Sequence, residues 1–517
     1  MKRTCFATAV LTGALVLFVL GGTAGAHMIL LDGKLEVNGY LKEQIMLRRH
    51  IPKDDRMFHE SNFDFARTSF LCEALYKLVQ TPDLTVNLFG GFRYYYEKMP
   101  ALDEEFDRAI PHREYDEYVH PRDDDLLTEA YVDISKGPFQ FRIGKQIVVW
   151  GETDIKRTAD VINPLDVRYG SPGTEDWETL KLGLYMIRGF YQTDLPGQLL
   201  LEFLFIPGDF EPARVPVEGT HYGPRTSTSS FNPGKGPGMY HWMQEKARRD
   251  ARGWNIRNYE FGFKVRGYTW NVDWALFYFN TLADSPTARP ARQVQLAYEY
   301  VGAGLRSLAT GGHIRPKMPG YKVFHYKRYE VLGGTAQTII DRLHGSEWRL
   351  EWFYEIGNHF NKAPGGLKSG MYYGETRRDT AGGGLTYADR FDIPYFTRRI
   401  CDNKKLTVSF SVFYEKMFNH DRDIVIQEDS RGRRPCDSHA TTFTWSVSQN
   451  FCHSQWLIMF TGSYNPIGKY FLCPIISYAP GSHWRWELAL PVYGSKCSVN
   501  KGLYDRDSAL IRIRYEF

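Results

Sequence analysis

The chain ends on Ser508-Ala509-Leu510-Ile511-Arg512-Ile513-Arg514-Tyr515-Glu516-Phe517. In an extended strand, alternate side chains point to opposite faces. Ala509, Ile511, Ile513, Tyr515 and Phe517 therefore share one apolar face. Ser508, Arg512, Arg514 and Glu516 share the other, interrupted once by Leu510. The chain stops on an aromatic residue with no polar tail. A terminal strand of a soluble protein would tend to fray there. In an outer-membrane barrel the last strand pairs with the first, so no open edge is left in lipid. Ile511, Ile513, Tyr515 and Phe517 are read on this basis as a barrel-closing signature. The bland alternative is a half-buried strand of a soluble sandwich.

Working back along the chain, the same alternation recurs. KLEVNGYLKEQIML opens at Lys34, LTVNLFGGFRYYYEK at Leu84, LLTEAYVDIS at Leu126 and FQFRIGKQIVVW at Phe139. About 18 such segments reach the end of the chain. Tight turns stand at Thr81–Asp83, Lys136–Pro138, Leu195–Gly197, Thr269, Cys452–His453 and Gly481–Ser482, and the intervening connections are mostly long. Short turns on one side and long loops on the other mark a bacterial outer-membrane barrel, and an even strand number puts both ends in the periplasm. The expected fold is all-β: a transmembrane antiparallel barrel of about 16–18 strands. The connections 333–346 and 390–405 read as long for the periplasmic side, and the one at Asn465-Pro466 as short for the external side. Aromatic residues near segment ends, Trp150, Trp177, Trp270, Trp352, Trp456, Trp484 and Trp486 among them, read as interfacial girdles.

The N-terminus has the pattern of an export signal. Lys2 and Arg3 precede the apolar run Leu11–Leu20, and Ala24-Gly25-Ala26 offers small residues for cleavage after Ala26. Residues 27–517 are then one barrel domain, with no run of apolar residues long enough for a spanning helix. Export predicts placement in the outer membrane, in contact with its lipid and its assembly machinery. The composition is 43% hydrophobic and 24% charged, with 33 Tyr, 33 Phe and 12 Trp. That mixture suits strands whose two faces meet different solvents. Removing Lys2 and Arg3 lowers the net charge from +4 to +2, which gives no argument for nucleic acid as a partner. No Cys-x-x-Cys-His and no zinc-like Cys/His spacing occurs, so no cofactor or metal is expected. The signal contains Cys5. Six cysteines follow it, Cys72, Cys401, Cys436, Cys452, Cys473 and Cys497, and export permits one or two disulfides among the last five.

One connection stands out. Trp150-Gly151-Glu152-Thr153-Asp154-Ile155-Lys156-Arg157 leads to Asp160-Val161-Ile162-Asn163-Pro164-Leu165-Asp166-Val167-Arg168, then Glu175-Asp176-Trp177-Glu178. It is the third external loop. Val161, Ile162, Leu165 and Val167 need somewhere to bury, and Asn163-Pro164-Leu165-Asp166 is a turn signal. The expectation is that residues 151–179 fold into the lumen and narrow it. Glu152, Asp154, Lys156, Arg157, Asp166 and Arg168 would then set opposed charges across a constriction and tune which solutes pass. The bland reading is a loop packed on the rim for stability alone.

The runs Leu127-Thr-Glu-Ala-Tyr-Val-Asp, Arg142-Ile-Gly-Lys-Gln-Ile-Val-Val-Trp-Gly-Glu-Thr-Asp and Asp160-Val-Ile-Asn-Pro-Leu-Asp resemble an uncharacterised, domain-of-unknown-function family of Gram-negative outer-membrane proteins. Asp176-Trp177-Glu178 and Phe205-Ile206-Pro207-Gly208-Asp209-Phe210-Glu211-Pro212 continue the likeness, with Gly208 an insertion relative to the usual form. The resemblance implies a large porin-like barrel and assigns no catalytic residue. The leading functional reading is a channel for small solutes, with no enzymatic role. The alternatives are a barrel for lipid or hydrophobic compounds acting with a periplasmic partner protein, and the sheath of a porin–cytochrome electron conduit. No Gly-x-Ser-x-Gly elbow supports a barrel hydrolase.

Overall fold

The computed structural model describes residues 28–49, 63–98, 126–153, 156–168, 170, 174–175, 177–214, 251–284, 286–288, 324–362, 374–392, 406–425, 437–466, 468–495 and 507–517. The export signal with its cleavage site, Asp154, Cys401, Cys436 and Cys497 lie outside them.

Eighteen antiparallel strands close into one barrel. In chain order they are β1 (Leu35–Arg48), β2 (Phe63–Gln80), β3 (Thr85–Lys98), β4 (Leu127–Lys136), β5 (Phe139–Gln146), β6 (Leu184–Gln192), β7 (Leu200–Ile206), β8 (Glu260–Thr269) and β9 (Val272–Leu282). The second half comprises β10 (Arg328–Ile340), β11 (Ser346–Lys362), β12 (Gly374–Phe391), β13 (Leu406–Met417), β14 (His439–Phe451), β15 (Trp456–Asn465) and β16 (Lys469–Tyr478). Strand β17 is broken at Leu490-Pro491 into Trp484–Ala489 and Val492–Ser495, and β18 is Ser508–Glu516. Each strand pairs with its sequence neighbours, and β18 closes onto β1 from Tyr40↔Glu516 to Arg48↔Ser508.

The closing seam is fastened at Phe517. Phe517 and Gly39 exchange both backbone hydrogen bonds, at 2.9 and 3.0 Å. The Phe517 ring lies over Gly39, where a Cβ would come within 2.8 Å of it and 2.2 Å of the Leu71 carbonyl. It stacks on Phe70 at 6.1 Å between ring centroids. Below that point Met28–Leu30 takes over the same edge of β1, pairing Met28↔Val37 to Leu30↔Leu35.

The alternation sorts the two faces. Phe139, Phe141 and Ile143 on β5, Ile458 and Phe460 on β15, Trp484, Trp486 and Leu488 on β17, and Ile511 and Ile513 on β18 all stand exposed on the outside. Such a band of large apolar side chains is expected where the outer solvent is hydrocarbon. Near the short turns the aromatics pair across strands: Trp456 on Tyr478 at 4.4 Å, Phe139 on Tyr191 at 4.9 Å and Trp484 on Tyr515 at 5.1 Å. A barrel of this kind implies the outer membrane.

Three expectations change. β10 runs on to Ile340, so the connection to β11 is only residues 341–345. Gly333-Gly334, which read as a loop, lies inside the strand: Gly333 makes room for the Phe277 ring and Gly334 for Trp352. Trp150 is not an interfacial aromatic, being 1% exposed in the interior. Cys452 and Cys473, like Cys72, are free thiols. Cys452 sits in a turn, Cys473 on the inner face of β16 and Cys72 on the outer face of β2, so these three have no common place to bridge.

Candidate functional site

The connection from β5 to β6, residues 147–183, turns inward. Val148, Trp150, Ala159 and Ile162 pack on Leu184, Met186, Leu204, Ile206, Phe277, Phe279, Val331 and Phe353, which belong to the inner faces of β6, β7, β9, β10 and β11. Trp150 is the centrepiece. Its ring meets Phe277 at 5.2 Å and Phe279 at 5.9 Å, and its Nε1 donates to Glu202 at 3.2 Å. A buried tryptophan in such a setting contributes about 3–5 kcal/mol when measured as truncation to alanine.

Asn163 joins the two arms of the connection. It is fully buried. Its Oδ1 accepts from Val148 N at 2.6 Å, and its Nδ2 donates to the carbonyls of Gln146 and Leu182 at 3.1 and 2.7 Å. All of the amide's polar atoms are thus engaged, as a buried amide requires. Asp166 is the second node. Arg168 grips it with two bonds at 2.9 and 2.7 Å, and Arg214 from the next external connection reaches it at 3.5 Å. Backbone bonds between Val167 and Arg214 and between Arg214 and Leu165 fasten those two connections together.

One side of the connection is held by β11 and β13. Glu351, on the inner face of β11 and fully buried, accepts from the backbone N–H groups of Glu152, Thr153 and Ala159 and from the Thr153 hydroxyl. Arg349 donates to the Glu152 carbonyl at 2.6 Å. Lys156 pairs with Glu415 of β13 at 3.3 Å and lies over the Phe413 ring. The other side is held by β1, β3 and β18. Glu175 receives Gln44 at 2.6 Å, Arg512 at 3.0 Å and Lys42 at 3.1 Å. Arg512 also donates to the Thr174 carbonyl, and Arg93 to that of Thr179. Burial alone would raise the Glu175 carboxyl. The charges of Arg512, Lys42 and Arg67 and the Gln44 bond outweigh it and hold this group well below the usual carboxylate range.

The predicted site residues divide accordingly. Lys156, Asp166 and Arg168 are buried in ion pairs. Arg157 pairs with Asp160 at 3.4 Å and donates to the Asn163 carbonyl at 2.7 Å, while Lys181 pairs with the same Asp160 at 2.7 Å. Glu152 contributes its backbone to the Glu351 and Arg349 contacts. Glu351, Glu175, Arg512 and Asn163, which the sequence did not single out as site residues, make most of the anchoring bonds. A carboxylate or guanidinium on an inner strand face gives no local signal, because the inner face of such a barrel is polar throughout.

Among the described residues, the anchoring hydrogen bonds and ion pairs given above fall on the walls from β13 back through β5 to β1 and on to β18. On the remaining arc, the inner faces of β14 and β15 carry Asn450, Leu457 and Met459 near their joining turn and, beyond it, Thr442, Thr444, Ser446, Ser448, Thr461 and Ser463. The last six are small and hydroxyl-bearing.

The molecule is a porin-like closed β-barrel with an inward-folded third loop. The chain belongs to the family described as protein of unknown function (DUF1302), whose model matches residues 71–462. No curated protein matches the sequence. Among solved structures it is similar to OccAB3 of Acinetobacter baumannii, 8% identical over 93% of this chain and 99% of that one, with a TM-score of 0.48. It is also similar to a BenF-like porin from Pseudomonas fluorescens Pf-5, 7% identical over 95% and 99%, with a TM-score of 0.45. The 18-strand closure stands on the strand pairing itself rather than on these likenesses.

Proposed function

We propose that this barrel is an outer-membrane channel for small solutes, narrowed by residues 147–183. The observation that supports it most is the anchoring of one connection to opposite walls of an 18-strand barrel. Barrels of 16–18 strands leave an aqueous bore. A segment fixed across that bore at Glu351 and Glu415 on one side and at Lys42, Gln44 and Arg512 on the other leaves the hydroxyl-lined arc of β14 and β15 as the way through. In this reading Lys156, Asp166 and Arg168 hold the constriction in shape. Arg157 and Glu152, the less buried of the set, are nearer to the passing solute. The test is conductance of the purified, folded protein in a planar bilayer. Stable unitary steps are expected; a folded barrel that stays electrically silent would overturn the reading.

A further inference from the structure

Glu43 stands on the lipid-facing side of the barrel. On β1 the inner face carries Lys42, Gln44 and Arg48, all buried. The outer face carries Leu41, Glu43, Ile45 and Leu47. Across the strands Glu43 pairs with Ile513 of β18 and with Thr68 of β2, which in turn pairs with Tyr96 of β3. Ile513 and Tyr96 both stand exposed on the outside. The same pairing gives the height. One row runs from Trp456, the first residue of β15 beside a short turn, through Tyr478, Trp486 and Ile513 to Glu43. It continues through Thr68 to Tyr96, close to the external end of β3. Barrel strands are tilted, so such a row climbs across the membrane. Glu43 lies well inside both ends of it, between Leu41 and Ile45 on its own strand. The Thr68 hydroxyl donates to its carboxyl at 2.6 Å. A carboxyl has room for further hydrogen bonds, and hydrocarbon offers none. An ionisable side chain at this depth is costly and, as a rule, partnered and functional.

We propose that the outer face of β18, β1, β2 and β3 around Glu43 is a contact between two copies of this chain in the membrane. Lipid headgroups lie at the edges of the apolar band, so they do not supply the missing partner at mid-height. The partner must carry a polar group into the hydrocarbon, which a second membrane-spanning wall does. A second copy fits because the Glu43–Thr68 pair is self-complementary, holding a hydroxyl and a carboxyl side by side. A two-fold axis sets one such pair against the other, each supplying the hydrogen bonds that the other lacks in lipid. A head-to-tail ring would need a different polar group at this level elsewhere on the wall. Mid-strand outer positions on the far side, Phe141, Ile187, Phe203, Phe263 and Leu276, are exposed and apolar. Ala66, outward-facing beside Ile45, keeps the face low enough for close approach. The proposal does not rest on the channel reading.

The test is analytical ultracentrifugation of the full mature chain in a mild detergent, beside Glu43→Leu and Glu43→Gln variants. A reversible dimer is expected in the parent. Glu43→Leu should weaken it about tenfold, because two symmetry-related polar contacts are lost from a site in hydrocarbon. Glu43→Gln keeps hydrogen-bonding groups there and should associate within about twofold of the parent. Leucine is at home on a lipid-facing strand position, so the leucine variant is expected to fold, which heat-modifiable migration checks. A second measurement uses native outer membranes. In a background with the native cysteines replaced by serine, Thr68→Cys should oxidise to a disulfide-linked dimer of the chain. A monomeric parent in detergent that also gives no cross-linked dimer in the membrane overturns the proposal, as does Glu43→Leu associating as tightly as the parent. A Thr68→Cys product joined to a different protein also overturns it and assigns the face to another partner.

Discussion

Two arcs of the same barrel wall are built to opposite rules. From β13 back through β5 to β1 and β18, the inner face carries large charged and aromatic groups such as Glu351, Glu415, Phe277 and Arg512, each engaged by the inward connection or supporting it. On β14 and β15 the inner face carries mostly serines and threonines, with Asn450, Leu457 and Met459 toward the turn that joins the two strands. The first arc spends its side chains on fixing a segment in place. The second keeps its side chains short from Thr442 to Ser448 and at Thr461 and Ser463. The lesson is that the polar interior of this barrel is not one environment: charge serves as anchor on one arc, and small hydroxyls leave space on the other.

The largest effect is expected from removing the strongest anchor. Glu351→Ala deletes the acceptor of four hydrogen bonds, each worth about 1.5–3 kcal/mol to a charged group in such a setting. Unitary conductance should rise severalfold and become noisy; unchanged conductance would show that this wall does not hold the constriction. Glu175→Gln should act in the same direction but less, roughly doubling the conductance. It removes the charge facing Arg512 and Lys42 while Trp150 stays seated. On the other arc the sign reverses. Ser448→Phe fills space on the hydroxyl wall and should reduce conductance by roughly half, with no change in noise. A rise there would break the distinction between the arcs.

The smallest expected effect is that of acid. A carboxylate whose folded-state ionisation lies below its unfolded value near 4.3 contributes stability above that value and loses it only as pH falls through the folded one. Glu175 is held well below the usual range. Its latch should therefore survive acidification from pH 7 to about pH 4 with little change in conductance. Opening between pH 6 and 5 would place the anchor elsewhere.

The sequence carried the fold because lipid outside and water inside impose a period of two on every strand, and Phe517 marks where the last one closes. Gly333-Gly334 misled because glycine read locally means a turn, whereas here Phe277 and Trp352 from neighbouring strands occupy the space it leaves. The inward connection was legible in part: Val161 and Ile162 demanded burial, and Asn163-Pro164 marked the bend. Its anchors were not legible. Glu351 lies 192 to 199 positions from its donors and Arg512 337 from Glu175, and no local pattern sets such residues apart from any other polar side chain on an inner strand face.

Narrowing of the bore requires residues 147–183 to lie across it, and one measurement addresses that directly. In a background with the native cysteines replaced by serine, Lys156→Cys and Glu415→Cys should be joined efficiently by a short bifunctional thiol reagent in the folded, membrane-inserted protein, because the native side chains meet at 3.3 Å. Failure to cross-link that pair, with both thiols shown to be present and reactive, would contradict a connection held across the bore.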